Sequence, residues 1–349
     1  MLSTELSTGQ TLALRCLLIA SVLLAWRLPA PGAEPETASN PAVQRAVAYL
    51  VREVPRWEKE NNCFSCHNNG DAARALFAAR GMDLDVPPKA LAGTTDWLLR
   101  PLEWDDIKGK PGLSDTKLAR IQYAAALTEA HLSGVVRNRE TLLTAAEHLL
   151  PLQNEDGSWS VDVAGVLGSP ATYGNTLATY MSRRTLAFAE RDRFAAEIAR
   201  ADDWLQARES AATVDLAALV LALADRVGEN ETSGEAPVRV AAKLAEAVKL
   251  LVSSQGSLGG WGPYPNSPAE AFDTALALLA LVRIPEAGAA ARNTLPERIE
   301  RGRDYLLSTQ LAGGGWPETT RPSGFQSYAQ HISTSGWATL ALLKTADPE

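Results

Sequence analysis

The sequence predicts an all-α protein, an (α/α)6 double-layered barrel built from six helical hairpins. Three observations carry that expectation. First, Leu and Ala dominate a chain that is 46% hydrophobic and 21% charged, with few β-branched runs; this favours helix and supplies a buried core. Second, one segment recurs: a helix ending in two apolar residues, a Gln, a Gly-rich turn, a Trp, then an Ala/Leu-rich helix. Third, the two helices of a unit differ in kind. The first is amphipathic, as in Val238 to Val252. The second, such as Thr274 to Leu281, is apolar nearly all round and must be buried.

The recurrent segment runs from Leu149 to Trp159 with Gln153 and Gly157, from Leu250 to Trp261 with Gln255 and Gly260, and from Leu306 to Trp316 with Gln310 and Gly315. Trp159 and Trp261 are 102 positions apart and Trp261 and Trp316 are 55 apart, so the first gap holds two units and the second one. A period near 50 residues calls for an array or closed ring of helix pairs.

In chain order, residues 1–33 read as a secretory signal. Arg15 precedes an apolar run, Cys16 to Trp26, too short to span a bilayer comfortably, and small residues and prolines follow it up to Ala33. A retained N-terminal anchor is the alternative. Export would make the chain periplasmic, with no stable transmembrane span after cleavage. Residues 34–40 are a linker, and the toroid occupies 41–346. Residues 41–56 and 71–82 make hairpin 1. Hairpin 2 is 92–103 and 117–134, with a looser loop at Trp104-Asp105-Asp106. Hairpin 3 surrounds Trp159, hairpin 4 is 192–208 and 213–226, hairpin 5 surrounds Trp261 and hairpin 6 surrounds Trp316. The net charge of −8, without long Lys/Arg blocks, argues against nucleic-acid binding.

Cleavage of the leader would remove Cys16 and leave two cysteines. They lie in Cys63-Phe64-Ser65-Cys66-His67, a C-x-x-C-H pattern and the attachment signature of c-type haem. Two thiols would bond the haem vinyl groups, and His67 would supply the proximal nitrogen to iron. A disulfide or half of a zinc site are the alternatives, although no second cysteine pair exists to complete tetrahedral zinc. The motif falls between the helices of hairpin 1, so the haem and the cavity mouth are expected at that end, with Trp57 and Phe64 against the porphyrin. Met82, Met181, His131 and His148 are set aside as sixth ligands by their places along their helices. His331 precedes the inner helix of hairpin 6, next to hairpin 1 in a closed ring, and is the expected distal ligand.

The Gln…Gly-x-Trp segments resemble the QW motifs of the prenyltransferase and squalene–hopene cyclase superfamily, over residues 40–346. The resemblance implies an α/α toroid with an apolar cavity for a hydrophobic small molecule. That superfamily's reactions have only partial counterparts. The nearest match to the D-x-D-D acid motif is Glu270-Ala271-Phe272-Asp273-Thr274-Ala275, in which the Thr-Ala tail matches and the Asp cluster does not. Asp105-Asp106 and Asp202-Asp203 lack a third carboxylate for magnesium. His331 lies in a segment similar to the zinc-holding one, without the cysteine that would join it. The expected function is therefore an exported haem c protein for electron transfer or redox sensing, with a redox partner protein. The alternative is a haem-dependent enzyme, or an isoprenoid-binding or cyclase-related protein using the cavity.

Overall fold

A computed structural model describes residues 40–106, 115–161, 173–228, 235–284, 294–319 and 326–346; the leader and residues 34–39 of the linker lie outside them. Six hairpins are present, each an outer helix followed by an inner one. Hairpin 1 comprises α1 (Pro41–Glu53), a short α2 (Arg56–Asn61), a π-helix (Cys66–Ala72) and α3 (Ala73–Gly81). Hairpin 2 pairs α4 (Pro88–Leu98) with α5 (Thr116–Leu132), and hairpin 3 pairs α6 (Arg139–Leu149) with α7 (Gly174–Glu190). Hairpin 4 pairs α8 (Ala195–Gln206) with α9 (Thr213–Gly228), and hairpin 5 pairs α10 (Glu235–Ser253) with α11 (Ala271–Leu281). Hairpin 6 pairs α12 (Leu295–Thr309) with α13 (Tyr328–Lys344). No strand occurs among the described residues, and no helix there is long and apolar enough to cross a membrane.

The two layers follow from the pattern of apolar residues. Every residue of α11 is buried, whereas only Leu295, Gly302 and Leu306 are fully buried in α12. The inner helices α3, α5, α7, α9, α11 and α13 pack in sequence, and α13 returns to α3 and the π-helix to close the ring.

The repeated Gln, Gly and Trp act as one lock. The indole N–H of Trp159, Trp261 and Trp316 donates to the carbonyls of Leu149, Leu251 and Leu306, the ends of their own outer helices, at 2.9, 2.7 and 2.7 Å. Their backbone N–H groups donate to Thr179, Thr274 and Ser335 hydroxyls on their own inner helices. The amides of Gln153, Gln255 and Gln310 reach onward to the carbonyls of Glu197, Arg298 and Ala42, each at 2.9 Å on the next described outer helix of the ring. Gly157, Gly259 and Gly314 have φ of 92°, 91° and 97°, a region that costs other residues strain. A Cβ at these three positions would lie 2.3–2.4 Å from the carbonyl oxygens of Arg200, Arg301 and Arg45, so glycine is also required for the close approach.

Hairpin 1 departs from expectation. Its inner helix begins at Cys66, before the expected 71, as a π-helix. The segment looks like a loop because it is polar, but its polar groups find buried partners. Ser65 Oγ accepts from the His67 N–H at 3.2 Å, and Asn69 Oδ1 accepts from the Ser65 N–H at 2.9 Å. The Asn68 amide donates to Glu53 O and Tyr328 Oη, and the Asn69 amide to Thr94 Oγ1. Gly336 lets α13 approach this turn, since a Cβ there would meet Ala72 Cα at 2.6 Å.

Candidate active site

The π-helix delivers Asp71 into a fully buried polar layer between the inner helices. Asp71 Oδ2 accepts from the Gln122 amide of α5 at 2.7 Å and from the Ser333 hydroxyl of α13 at 2.5 Å. Oδ1 is buried and has no hydrogen-bond partner among the described residues. Burial pushes the carboxyl above its usual range, against the pull of Arg74, Ser333 and Gln122. Both donors converge on Oδ2, which leaves Oδ1 without one. Tyr173, preceding α7, is close enough that Asp71 adds to the rise that burial imposes on its phenol.

Arg74, one turn further along, is 4% exposed, and its guanidinium carbon lies 4.3 Å from the centre of the Trp337 ring. Tyr173 and Phe272 also meet Trp337 edge-on, at 6.2 and 6.1 Å. Trp337 thus gathers two further aromatic rings and a cation around itself. Asp273 of the partial motif is buried too, but it acts on Tyr305 of the outer layer, while Phe272 turns towards Trp337.

Arg74 and Trp337 form the inner end of a cavity of about 800 Å³. That volume suits a small-molecule site, roughly 300–1,000 Å³. Its walls are apolar, with Met181, Leu221, Leu279 and Leu340. Its other end is charged, with Arg184, Arg191, Arg283 and Lys344 beside Glu129 and Asp225. Arg184, Leu279, Leu340 and Lys344 lie in the C-terminal halves of their inner helices, and Arg191 and Arg283 just beyond theirs. The cavity is thus at the opposite end from the C-x-x-C-H loop, where the sequence placed its mouth.

The residues expected at the haem lie around the start of the π-helix and on α13. Phe64 stacks on Trp97 of α4 at 4.6 Å, and Trp57 stacks on Tyr328 at 5.9 Å, so both rings proposed for the porphyrin have protein partners. Cys63 and Cys66 are half-buried thiols, and burial pushes Cys66 well above the ordinary thiol range. His67 is buried on the first turn of the π-helix. His331 stands on the neighbouring α13, as ring closure predicts, with Nδ1 3.2 Å from Glu318 Oε2 and its ring edge-on to Tyr49 at 5.8 Å. The described residues contain no group of three or more His, Cys, Asp or Glu placed to hold a metal ion.

Comparison with known proteins points the same way. No family model matches the chain. It is 26% identical over 215 residues to drimenyl diphosphate synthase of Streptantibioticus cattleyicolor, a match that covers 59% of this chain and 37% of that enzyme's length. The chain thus spans little more than a third of that curated relative. Among solved structures, type II terpene cyclase MstE from Scytonema, in complex with geranylgeranyl dihydroxybenzoate, aligns with a TM-score of 0.56 at 15% identity, over 87% of this chain and 96% of that one. A polysaccharide lyase aligns with a TM-score of 0.57 at 11% identity, over 87% and 97%. These structural likenesses show the fold, a terpene-cyclase-like α/α toroid.

The expected function is corrected accordingly. Electron transfer or redox sensing as the function of the protein is overturned by the terpene synthase relative and the cyclase neighbours. The cyclase-related alternative agrees with these findings. Asp71, Gln122, Arg74 and Trp337 escaped the sequence reading, although charged and amide residues on helices that must be buried were a signal in plain view.

Proposed function

We propose that the protein is a terpenoid-cyclase-like enzyme that starts ring closure of an isoprenoid by protonating an alkene, with Asp71 as the acid. The observation that carries this reading is the buried, unpartnered Oδ1 of a carboxyl whose other oxygen is fixed by two donors. Burial raises the carboxyl's pKa and so favours its protonated, acid form. The alkene π-pair takes that proton; a C–H bond forms, the O–H bond breaks, and a tertiary cation and the Asp71 carboxylate remain. Gln122, Ser333 and Arg74 then stabilise the carboxylate. The next alkene attacks the cation and forms the ring bond, and Trp337, Tyr173 and Phe272 offer π-faces to the moving charge. Water takes a proton from a carbon beside the final cation, the C–H electron pair becomes the new alkene, and Asp71 regains a proton from solvent. The apolar walls favour an isoprenoid over the sugar polymers of the lyase neighbour.

The test is incubation with farnesyl diphosphate, geranylgeranyl diphosphate and squalene in deuterium oxide, with products read by mass spectrometry. A cyclised product carrying one non-exchangeable deuterium, absent with Asp71→Asn, is the expected result. Cyclisation by Asp71→Asn at the wild-type rate would overturn the assignment of the acid.

A further inference from the structure

Two nucleophiles take no part in the chemistry of Asp71. They are the thiols of Cys63 and Cys66, the only cysteines among the described residues. They stand where hairpins 3, 5 and 6 carry a Gln, a Gly turn and a Trp. Cys63 lies in the bend after α2, next to Asn62, whose φ is 49°. Cys66 opens the π-helix that carries Asp71, and it packs against the core. Phe64 and Ser65 separate the two. Phe64 is held twice, by its ring on Trp97 at 4.6 Å and by its carbonyl, which accepts from Tyr123 Oη at 3.2 Å. Ser65 is extended, with φ −107° and ψ 132°, and its Oγ accepts from the His67 N–H at 3.2 Å to cap the π-helix. Burial, then Cys66 and Cys63, push the Tyr123 phenol upward, so both sulfurs lie near the same buried hydroxyl.

We infer that Cys63 and Cys66 form a modification site, joined as a disulfide by exchange with a disulfide-bearing molecule, and that closing this bond undoes the Ser65 cap and loosens the π-helix that holds Asp71. Cys63, its proton given to solvent, attacks one sulfur of the incoming disulfide. A new S–S bond forms, the old one breaks, and one thiol leaves with a proton from solvent. The Cys66 thiolate then attacks Cys63 Sγ and displaces the second thiol. The two cysteines lose two electrons and two protons, and the incoming disulfide gains them as two thiols. Cys63 leads because Cys66 is packed into the first helical turn. The bond requires the two Cα atoms to stand about 4.4–6.8 Å apart. An extended Ser65 lengthens the span between them, so closure works against the conformation that caps the helix. Reduction restores the cap. The disulfide is independent of the cyclase reading; only its effect on turnover rests on the role of Asp71.

The experiment treats the full chain with reduced or with oxidised glutathione, blocks remaining thiols with iodoacetamide and digests with trypsin in the absence of reductant. Cleavage after Lys59 and Arg74 gives a peptide of residues 60–74 that holds both cysteines and excludes Cys16. Its mass separates the dithiol, the mixed disulfide and the closed disulfide. Hydrogen exchange on the same samples follows the amides of residues 66–72. Under oxidised glutathione the wild-type peptide should close, losing two hydrogens, and Cys66→Ser should stop with glutathione on Cys63. Cys63→Ser should react about tenfold more slowly, and closure should speed exchange at 66–72 by about tenfold. A wild-type peptide that stays a dithiol or halts as the mixed disulfide would overturn the site. A closed disulfide with unchanged exchange at 66–72 would overturn its link to the helix of the acid, and Cys63→Ser reacting as fast as Cys66→Ser would overturn the order of attack. If thermal melts show that the variants do not fold, the wild-type masses and exchange decide alone. Closure with faster exchange but no cyclised product in either state leaves this inference standing without the acid role of Asp71; deuterated product from a protein that never closes does the reverse.

Discussion

Asp71 combines two properties that pull in opposite directions. Burial makes its proton easy to hold, while Gln122, Ser333 and Arg74 make the conjugate base easier to bear. Its pKa is raised on folding, so the folded protein loses relative stability as pH climbs from the ordinary carboxyl range, about 4, towards the raised value. Asp71→Asn keeps the shape and removes that liability. Its melting temperature should equal the wild type's below about pH 4 and exceed it increasingly at higher pH, while turnover is lost throughout. Melting curves of the two proteins across pH check this, and a variant that melts lower at pH 8 would contradict it. Glu129 has the opposite sign. Its pKa is lowered, so the stability it contributes is present above the usual Glu value, about 4.3, and disappears as pH falls through the depressed one. Glu129→Gln should therefore cost stability at pH 7 and little at pH 3. The residues themselves were visible in the sequence, but their meeting was not: Asp71 is 51 positions from Gln122 and 262 from Ser333, and one sequence carries no record of such pairs. The C-x-x-C-H pattern also drew the stretch from Asn61 to His67 into a loop, which hid the turn that carries the acid.

At the scale of the element, the hairpins were legible because each is specified twice, by its apolar pattern and by its lock. Trp159, Trp261 and Trp316 are wholly buried, and each holds its outer helix to its inner one. Trp261→Ala should cost about 3–5 kcal/mol in denaturant unfolding. The C-x-x-C-H loop occupies the place of a lock in hairpin 1 and does a comparable job with different chemistry. Phe64 stacks on Trp97 of the next outer helix, and Tyr123 Oη donates to the Phe64 carbonyl at 3.2 Å. The π-turn was not legible. It depends on Asn68 and Asn69 reaching four groups on three other segments, and on the absence of a side chain at Gly336. Gly336→Ala should push α13 from the π-helix and destabilise the fold by about 1–3 kcal/mol. It should also reduce turnover beyond what the stability loss explains, because the displaced helix carries Ser333 and Trp337.

For the whole molecule, the lock in hairpin 6 differs from the others only in what it grips. Gln153 and Gln255 reach outer helices 44 and 43 positions ahead of them, whereas Gln310 reaches back to Ala42, 268 positions away, and Arg45 returns a bond to the Gln310 side-chain oxygen at 2.7 Å. The same local geometry thus joins neighbours twice and the two ends of the barrel once. During synthesis hairpin 1 emerges with its inner face bare, and α13, which covers that face, follows the other five hairpins' described helices. Hairpins 1 to 5 can dock in order as they appear, but the Asp71 site lacks Ser333 and Trp337 until the final helix arrives. Closure is therefore the slow, long-range step of folding. A chain truncated before α13 should expose apolar surface and aggregate rather than fold into a smaller working barrel, and the acid comes into being only in a finished molecule.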